Sequence, residues 1–76
     1  MKIKPGTYQH YKGNYYEVID VVHHSESLEE LVLYKTLYEN PVGQLWVRPL
    51  RMFTENVTIE GKEMPRFKYI GEINES

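Results

Sequence analysis

The chain of 76 residues contains no cysteine. This absence excludes disulfide bonds, thiolate catalysis and zinc sites built from thiolates, and it is typical of proteins of the reducing cytoplasm. The sequence also lacks an apolar run near the roughly 18 residues of a membrane span, and its first residues lack the apolar segment of a signal peptide. We therefore expect a cytoplasmic protein without a membrane-spanning segment.

Sequence patterns for metal binding and for phosphate binding are also missing. The five glycines are isolated at separate expected turns, so no glycine-rich loop could cradle a phosphate. Consecutive side chains on a strand point to opposite faces, so neither His23 with His24 nor Glu29 with Glu30 forms a shared site. His10 would have to join the histidines from a neighbouring strand. We expect no metal site and no cofactor.

The run from His24 to Glu26, His-Ser-Glu, superficially suggests a hydrolytic triad. Sequence neighbours on a turn rarely reach the geometry of nucleophile, base and orienting group, and no glycine that could form an oxyanion hole lies nearby. We expect no catalytic residues and a protein that is not an enzyme.

The residues that are present predict one small folded domain. Hydrophobic residues make up 41% and aromatic residues 13% of the chain, which is too apolar for a disordered segment. A chain of this size buries only about 60% of its unfolded surface, so the large rings must supply much of the core. The expected domain is 1–76, with an ordered core at about 5–70 and a loose tail at 71–76.

Tyrosine-rich and β-branched runs alternate with turn residues along the chain. A bulge is expected near Asp20, because neither face of its strand is uniformly apolar. For 28–38 a helix stays open, since Ser27 and Glu30 match a capping box, but the β-branched and aromatic content favours a strand. The predicted strands are 7–11, 15–24, 31–38, 45–48 and 57–59, and a short helical turn is predicted in 50–55. Large side chains alternate with smaller or polar ones at 64–70. This pattern predicts an all-β, SH3-like, partly open five-stranded antiparallel barrel with one short helical turn.

Several short runs along the chain form a combined pattern. They are GTY at 6–8, HYKG at 10–13, YEV at 16–18, HSE at 24–26, LE at 28–29, LWVRPL at 45–50, MF at 52–53 and PRF at 65–67, together with Val32, Tyr34 and Gly61. These runs resemble those of the bacterial domain-of-unknown-function family DUF1653, and the likeness covers nearly the whole chain. The resemblance implies a compact β domain of about this length. It transfers no catalytic residues, because the family has no agreed activity.

Acidic and basic residues are unevenly distributed, although the net charge is only −2. Every charged residue between 17 and 30 is acidic, whereas Arg48, Arg51, Lys62, Arg66 and Lys68 lie later. Opposite charges on paired strands would neutralise each other, which is the simpler interpretation. The alternative is that the basic side is a binding face.

Trp46 and Arg48 have two open interpretations. If Leu45 and Val47 fill the barrel, the tryptophan and arginine point outward together, as in an interaction hot spot. Alternatively, 64–70 or the short helix covers Trp46, and Arg48 pairs with an acidic residue of the turn at 26–30. The second interpretation is favoured, because a lone tryptophan in a small domain is usually core.

A binding function fits these observations best. We expect a protein or peptide interaction module with an aromatic groove and acidic residues at its edge. An RNA or single-stranded nucleic-acid module using Arg48, Arg51, Arg66 and Lys68 is the alternative, disfavoured by the acidic net charge. An accessory domain of an enzyme is third, and a homodimer stays open. The candidate binding residues are Tyr11, Tyr16, His24, Glu26, Glu29, Tyr34, Trp46, Arg48 and Arg66.

Overall fold

The computed structural model describes residues 3–71, which form seven strands and one short helix. The short runs of β-branched and aromatic residues become the strands, and the Gly- and Asn-containing segments connect them. The elements in chain order are β1 (Gly6–His10), β2 (Tyr15–His23), β3 (Glu30–Thr36), β4 (Leu45–Pro49), α1 (Leu50–Phe53), β5 (Asn56–Ile59), β6 (Lys62–Pro65) and β7 (Phe67–Gly71).

Five strands form one antiparallel sheet in the order β4-β3-β2-β1-β7. Within residues 3–71 the edge strands β4 and β7 do not pair with each other, so the sheet does not close. The prediction of an all-β domain with a partly open five-stranded antiparallel sheet and one short helical turn is confirmed. The segment 72–76, most of the expected loose tail, lies outside the described residues.

The fifth strand of the sheet differs from the one that the sequence suggested. The run around Val57 does not join the main sheet, because β5 pairs only with β6 in a separate hairpin. Its two-residue loop, Glu60 and Gly61, has positive φ at both positions, 51° and 79°. Two positive φ values give the turn whose twist matches that of a tight hairpin, so the local turn closes β5 onto β6. The place in the sheet is taken by β7.

Strand β2 carries a bulge at Ile19, where its pairing with β3 shifts between Val18 and Asp20. The predicted bulge near Asp20 is therefore confirmed. A one-residue shift exchanges the faces of all later side chains. Beyond the bulge, Val21 pairs with the buried Val32, whereas uninterrupted alternation along β2 would place Val21 on the opposite face from Tyr16. β3 is a strand over its whole length, so the helical alternative for 28–38 is wrong.

The core lies on one face of the sheet, called the inner face here. The single helical turn α1 places Phe53 over this face, where its ring stacks on Phe67 with centroids 4.1 Å apart. Tyr8 closes the core from β1 and donates its hydroxyl proton to the carbonyl oxygen of Lys4 at 2.7 Å. The buried apolar residues are Tyr8, Val18, Val32, Tyr34, Phe53 and Phe67.

The opposite face of the sheet, called the outer face, stays open to solvent over much of β4. Leu45 is 65% exposed and Val47 is 52% exposed. These two residues therefore do not fill a barrel interior, and the alternate residues of β4 point to the core instead. Association of two chains stays a prediction.

Candidate ligand pocket

Strand register gathers polar and aromatic side chains at one corner of the inner face. Tyr16 of β2 lies opposite Thr36 of β3, and Tyr34 lies opposite Trp46 of β4. Directly paired residues share a face, so these side chains converge without any help from a long loop. One further pair, Val32 with Arg48, brings the guanidinium to the same side.

A surface pocket of about 230 Å³ opens at this corner. Its wall is mainly aromatic, and its polar groups include a hydroxyl, a guanidinium and an amide. We call it the aromatic pocket; it is lined by Tyr16, Tyr34, Thr36, Tyr38, Asn40, Trp46 and Arg48.

Two polar atoms of the aromatic pocket have no hydrogen-bond partner among the described residues. They are Oγ1 of Thr36, a residue only 2% exposed, and Nε of Arg48, and both atoms are closed off from solvent. Leaving a buried donor unpaired costs about 1–3 kcal/mol. Native structures contain few buried polar atoms without a partner, and one common reason for such an atom is a function in binding or catalysis. Here both belong to residues of one pocket.

Within the described part of the chain, Arg48 contacts an aromatic ring and forms no ion pair. Its guanidinium carbon lies 5.6 Å from the centre of the Phe67 ring. Among residues 3–71, the ion pairs between arginine and carboxylate side chains join Arg51 to Glu29 and Arg66 to Glu55. The expected pairing of Arg48 with an acidic residue of the turn at 26–30 is therefore wrong. Instead, Arg51, three residues later, forms the ion pair with Glu29, with Nη2 and Oε2 3.3 Å apart.

The tyrosines 16 and 38 stand at the exposed side of the aromatic pocket. Their hydroxyl oxygens lie 3.2 Å apart, and their rings meet edge to face with centroids 5.6 Å apart. Burial, with the hydrogen bond to Tyr38 as the next cause, raises the pKa of Tyr16 to about 12. Tyr16 is therefore a neutral phenol at neutral pH, and one hydroxyl of the pair donates to the other.

Trp46 contributes a wall and not a hydrogen-bond donor. Its indole Nε1–H donates to the carbonyl oxygen of Gly43 at 3.0 Å, and its ring packs against the core. Within the same loop, Gly43 N–H donates to the carbonyl oxygen of Asn40 at 3.2 Å. The inward interpretation of Trp46 agrees with the structure. The bond from Trp46 also fixes the β3–β4 loop beside the pocket.

The aromatic walls by themselves could surround a cation. A desolvated cation gains about 0.5–2 kcal/mol from such rings. A guanidinium about 4 Å away would repel it by about 4 kcal/mol at an effective dielectric constant of 20. The positive charge of Arg48 therefore makes this pocket unsuitable for a cation.

Of the nine predicted binding residues, four line the aromatic pocket: Tyr16, Tyr34, Trp46 and Arg48. His24, Glu26 and Glu29 lie around the β2–β3 turn, at the far end of β3 from Thr36. Six residues of strand separate the two ends, which is roughly 20 Å. The predicted acidic edge of an aromatic groove is therefore absent from this pocket.

His24 has a structural function in its turn. Its Nδ1 accepts hydrogen bonds from the backbone N–H groups of Glu26 at 3.1 Å and Ser27 at 3.3 Å. The backbone closes the same turn, since Leu28 N–H donates to the carbonyl oxygen of His24 at 2.9 Å. These bonds hold the tip of the β2–β3 hairpin together.

Arg66 is likewise engaged within the protein. Its Nε and Nη2 both donate to one carboxylate oxygen of Glu55, at 2.9 and 2.6 Å. Its carbonyl oxygen accepts from the N–H of Tyr11. Arg66 and Tyr11 thus join the β5–β6 hairpin to the end of β1 and do not reach the aromatic pocket.

His10 lies between these two regions. Its ring packs on Tyr11 with centroids 4.5 Å apart and meets the edge of Phe67 at 4.9 Å. Nδ1 accepts the backbone N–H of Lys12 at 3.1 Å. Burial, followed by the positive charges of Arg66, Arg48 and Lys12, lowers the pKa of His10 below its ordinary value. The imidazole is therefore neutral at neutral pH.

Sequence reasoning did not select Thr36, Tyr38 and Asn40 as binding residues. A signal existed for two of them, because alternation along β3 puts Thr36 and Tyr38 on the same side as Tyr34. Asn40 comes from the β3–β4 loop, where no such periodicity applies. Its Oδ1 accepts the N–H of Val42 at 3.0 Å.

Two kinds of feature are missing from residues 3–71. No group of three or more histidine, cysteine, aspartate or glutamate side chains converges for a metal ion. No helix in this part of the chain is long and apolar enough to cross a membrane.

Comparison with known proteins gives a family but no activity. No curated protein matches the chain. The chain is similar to a crystal structure of a DUF1653 protein from Bordetella bronchiseptica, with 32% sequence identity and a TM-score of 0.88 over 97% of this chain and 95% of that one. The model of DUF1653, described as a protein of unknown function, matches residues 6–69. The chain therefore belongs to the DUF1653 family.

Proposed function

We propose that this domain is a protein or peptide interaction module, and that the aromatic pocket receives one side chain or chain end of its ligand. The observation that carries the proposal is the convergence of aromatic walls with the unpartnered Thr36 Oγ1 and Arg48 Nε. Rigid aromatic rings bind with little loss of entropy, and arginine is common at interaction hot spots. Catalysis is not part of the proposal, and we keep the cytoplasm as the expected location.

The size of the pocket fits one chemical group of a larger ligand rather than a whole small molecule. Sites for drug-sized molecules and cofactors span about 300–1,000 Å³. The aromatic pocket has about 230 Å³, which is less than a whole nucleotide or cofactor needs. A partner protein that inserts one side chain would place its remaining contacts on the surrounding surface.

The nucleic-acid alternative has less support. Of its four basic residues, Arg51 is bound to Glu29 and Arg66 is bound to Glu55. Lys68 pairs with Gln9 on the outer face, away from the pocket. A groove for single-stranded nucleic acid needs several cationic side chains in a row along the phosphate backbone, and these four residues do not form such a row.

A peptide-display selection tests the proposal. A random peptide library is panned on the wild-type domain, and each enriched peptide is measured against Tyr38→Ala and Tyr15→Ala. Tyr38 is 37% exposed and lines the pocket, whereas Tyr15 is 45% exposed and lies outside it, so the two variants are matched. We expect Tyr38→Ala to weaken binding and Tyr15→Ala to leave it unchanged.

Single-stranded RNA and DNA oligonucleotides are measured in parallel over a range of salt concentrations. Enrichment of peptides that depend on Tyr38 supports the proposal. If oligonucleotides bind with a steep salt dependence and no peptide enriches, the domain is a nucleic-acid module and the proposal is wrong.

A further inference from the structure

We infer that the group recognised in the aromatic pocket is a carboxylate, held by the guanidinium of Arg48 and the hydroxyl of Thr36. This inference rests on the proposed function, since it names the chemistry of the ligand group that the same pocket receives. Arginine presents its donors in a planar fork that fits the two oxygens of a carboxylate.

The two unpartnered atoms define the donor set. Arg48 Nε–H can only donate, and the Thr36 hydroxyl can donate in the same way. A ligand that satisfies both must offer two acceptor positions. The Tyr16–Tyr38 hydroxyl pair lies at the exposed side of the pocket, where one hydroxyl donates to the other. An acceptor-only group with two oxygens, such as a carboxylate, fits these donors.

The charge of the site distinguishes a carboxylate from a phosphate. Arg48 is the only lysine or arginine that lines the pocket within residues 3–71. One positive charge matches the single negative charge of a carboxylate, whereas a phosphate group that carries about two would remain half uncompensated. The excess of acidic over basic residues in the whole chain, 11 against 9, also opposes a polyanion.

Access to the two atoms requires a side chain to move, because both are closed off from solvent. Tyr38 is the most exposed of the side chains that line the pocket, and we assign the movement to it. It is partly exposed, and its contacts are to Tyr16, through the hydroxyl pair and an edge-to-face ring contact. Rotation of Tyr38 breaks these two interactions without disturbing the core, whereas Tyr34 belongs to the core and Trp46 packs against it.

Binding of a small carboxylate can be followed by NMR. Sodium acetate is titrated into the ¹⁵N-labelled domain at constant ionic strength with sodium chloride, and the Arg48 Nε–H, Trp46 Nε1–H and Thr36 amide resonances are followed. We expect saturable shifts in the wild type and in Arg51→Gln, an arginine outside the pocket. We expect the shifts to be lost in Arg48→Gln and reduced in Arg48→Lys, which keeps the charge but loses the fork.

Peptides identify the source of the carboxylate. Each peptide from the display selection is compared with its C-terminal amide and with versions in which aspartate or glutamate becomes asparagine or glutamine. Loss of the recognised carboxylate should weaken binding about tenfold or more, since hydrogen bonds to charged groups are stronger than neutral ones. The substitution that produces this loss shows whether the group is a side chain or a chain end.

The outcomes separate the two proposals. If peptides bind through Tyr38 but tolerate neutralisation of all their carboxylates and also tolerate Arg48→Gln, the carboxylate inference is wrong and the interaction module stands. If acetate binds through Arg48 and no peptide enriches, the interaction module is wrong and the carboxylate site stands. Tighter binding of inorganic phosphate than of acetate overturns the carboxylate assignment.

Discussion

The hydroxyl oxygens of Tyr16 and Tyr38 lie 3.2 Å apart, although the two residues are 22 positions apart in the chain. Strand β2 supplies the first tyrosine, and the segment just after β3 supplies the second. The backbone holds them in register, since Leu37 N–H donates to the carbonyl oxygen of Tyr15 at 3.1 Å. The pair therefore links the folding of the β2–β3 hairpin to the shape of the aromatic pocket.

Tyr38→Phe should lower the pKa of Tyr16 from about 12 towards its ordinary value of 10, because the second-largest cause of the shift disappears while burial remains. Between pH 10 and the raised pKa, Tyr16 keeps its proton in the native chain but loses it in the unfolded chain. The free energy of unfolding of the domain therefore falls as the pH rises through this interval. Spectrophotometric titration of tyrosine ionisation measures the shift. Tyr15→Phe is the control, and a highest tyrosine pKa that is the same in wild type and Tyr38→Phe would contradict the assignment.

Thr36→Val should raise the free energy of unfolding of the ligand-free domain by up to about 1 kcal/mol, because it replaces an unpartnered buried hydroxyl with a methyl group of similar shape. The same change should lower the affinity of the domain for its ligand, since it removes a hydrogen-bond donor from the pocket. Urea denaturation and peptide binding measure the two effects. Thr58→Val, on the exposed side of β5, should change stability by less than about 0.5 kcal/mol. A destabilised Thr36→Val domain would mean that the hydroxyl is satisfied in the native protein.

Much of the fold could be predicted because each strand carries its own local signal. Alternation along β3 placed Val32, Tyr34, Thr36 and Tyr38 on one side, and the first three are buried together. The turn residues around Gly13 and Gly61 separated the strands correctly. What the strand patterns could not supply was the partner of each strand, since β5 and β7 carry similar local patterns. The tight turn at Glu60 and Gly61 pairs β5 with β6, and Phe67 of β7 stacks on Phe53 in the core.

The candidate site was harder to predict, because it depends on cross-strand register. Tyr16 and Thr36 lie opposite each other at the open end of the β2–β3 hairpin, on the unshifted side of the bulge at Ile19. The same uncertainty left the orientation of Trp46 open. The ion pairs depended on position too: Arg51 and not Arg48 reaches Glu29, because α1 carries Arg51 back towards the β2–β3 turn.

Phe53→Ala should destabilise the domain by about 3–5 kcal/mol, enough to unfold much of a protein this small. Phe53 is 1% exposed and is the main side chain that α1 contributes to the core, where it stacks on Phe67. Its neighbour Met52 is 38% exposed in the same helical turn, so Met52→Ala is the matched control and should cost less than about 1 kcal/mol. Urea denaturation followed by Trp46 fluorescence measures both. Similar losses for the two variants would mean that α1 does not hold the core through Phe53.

His10 should make the stability of the domain depend on pH in the mildly acidic range. Above its ordinary value of 6.5, both the native and the unfolded chain hold a neutral imidazole. Below 6.5 the unfolded chain takes up a proton, but the native chain does not until the pH passes its lowered pKa, because burial and the charges of Arg66, Arg48 and Lys12 oppose the cation. The unfolded state therefore binds more protons in this interval, and the free energy of unfolding falls as the pH falls. Urea denaturation at a series of pH values should give a smaller slope of the free energy of unfolding against pH for His10→Gln than for the wild type. Equal slopes for the wild type and His10→Gln would show that the imidazole is protonated as easily in the native chain as in the unfolded one.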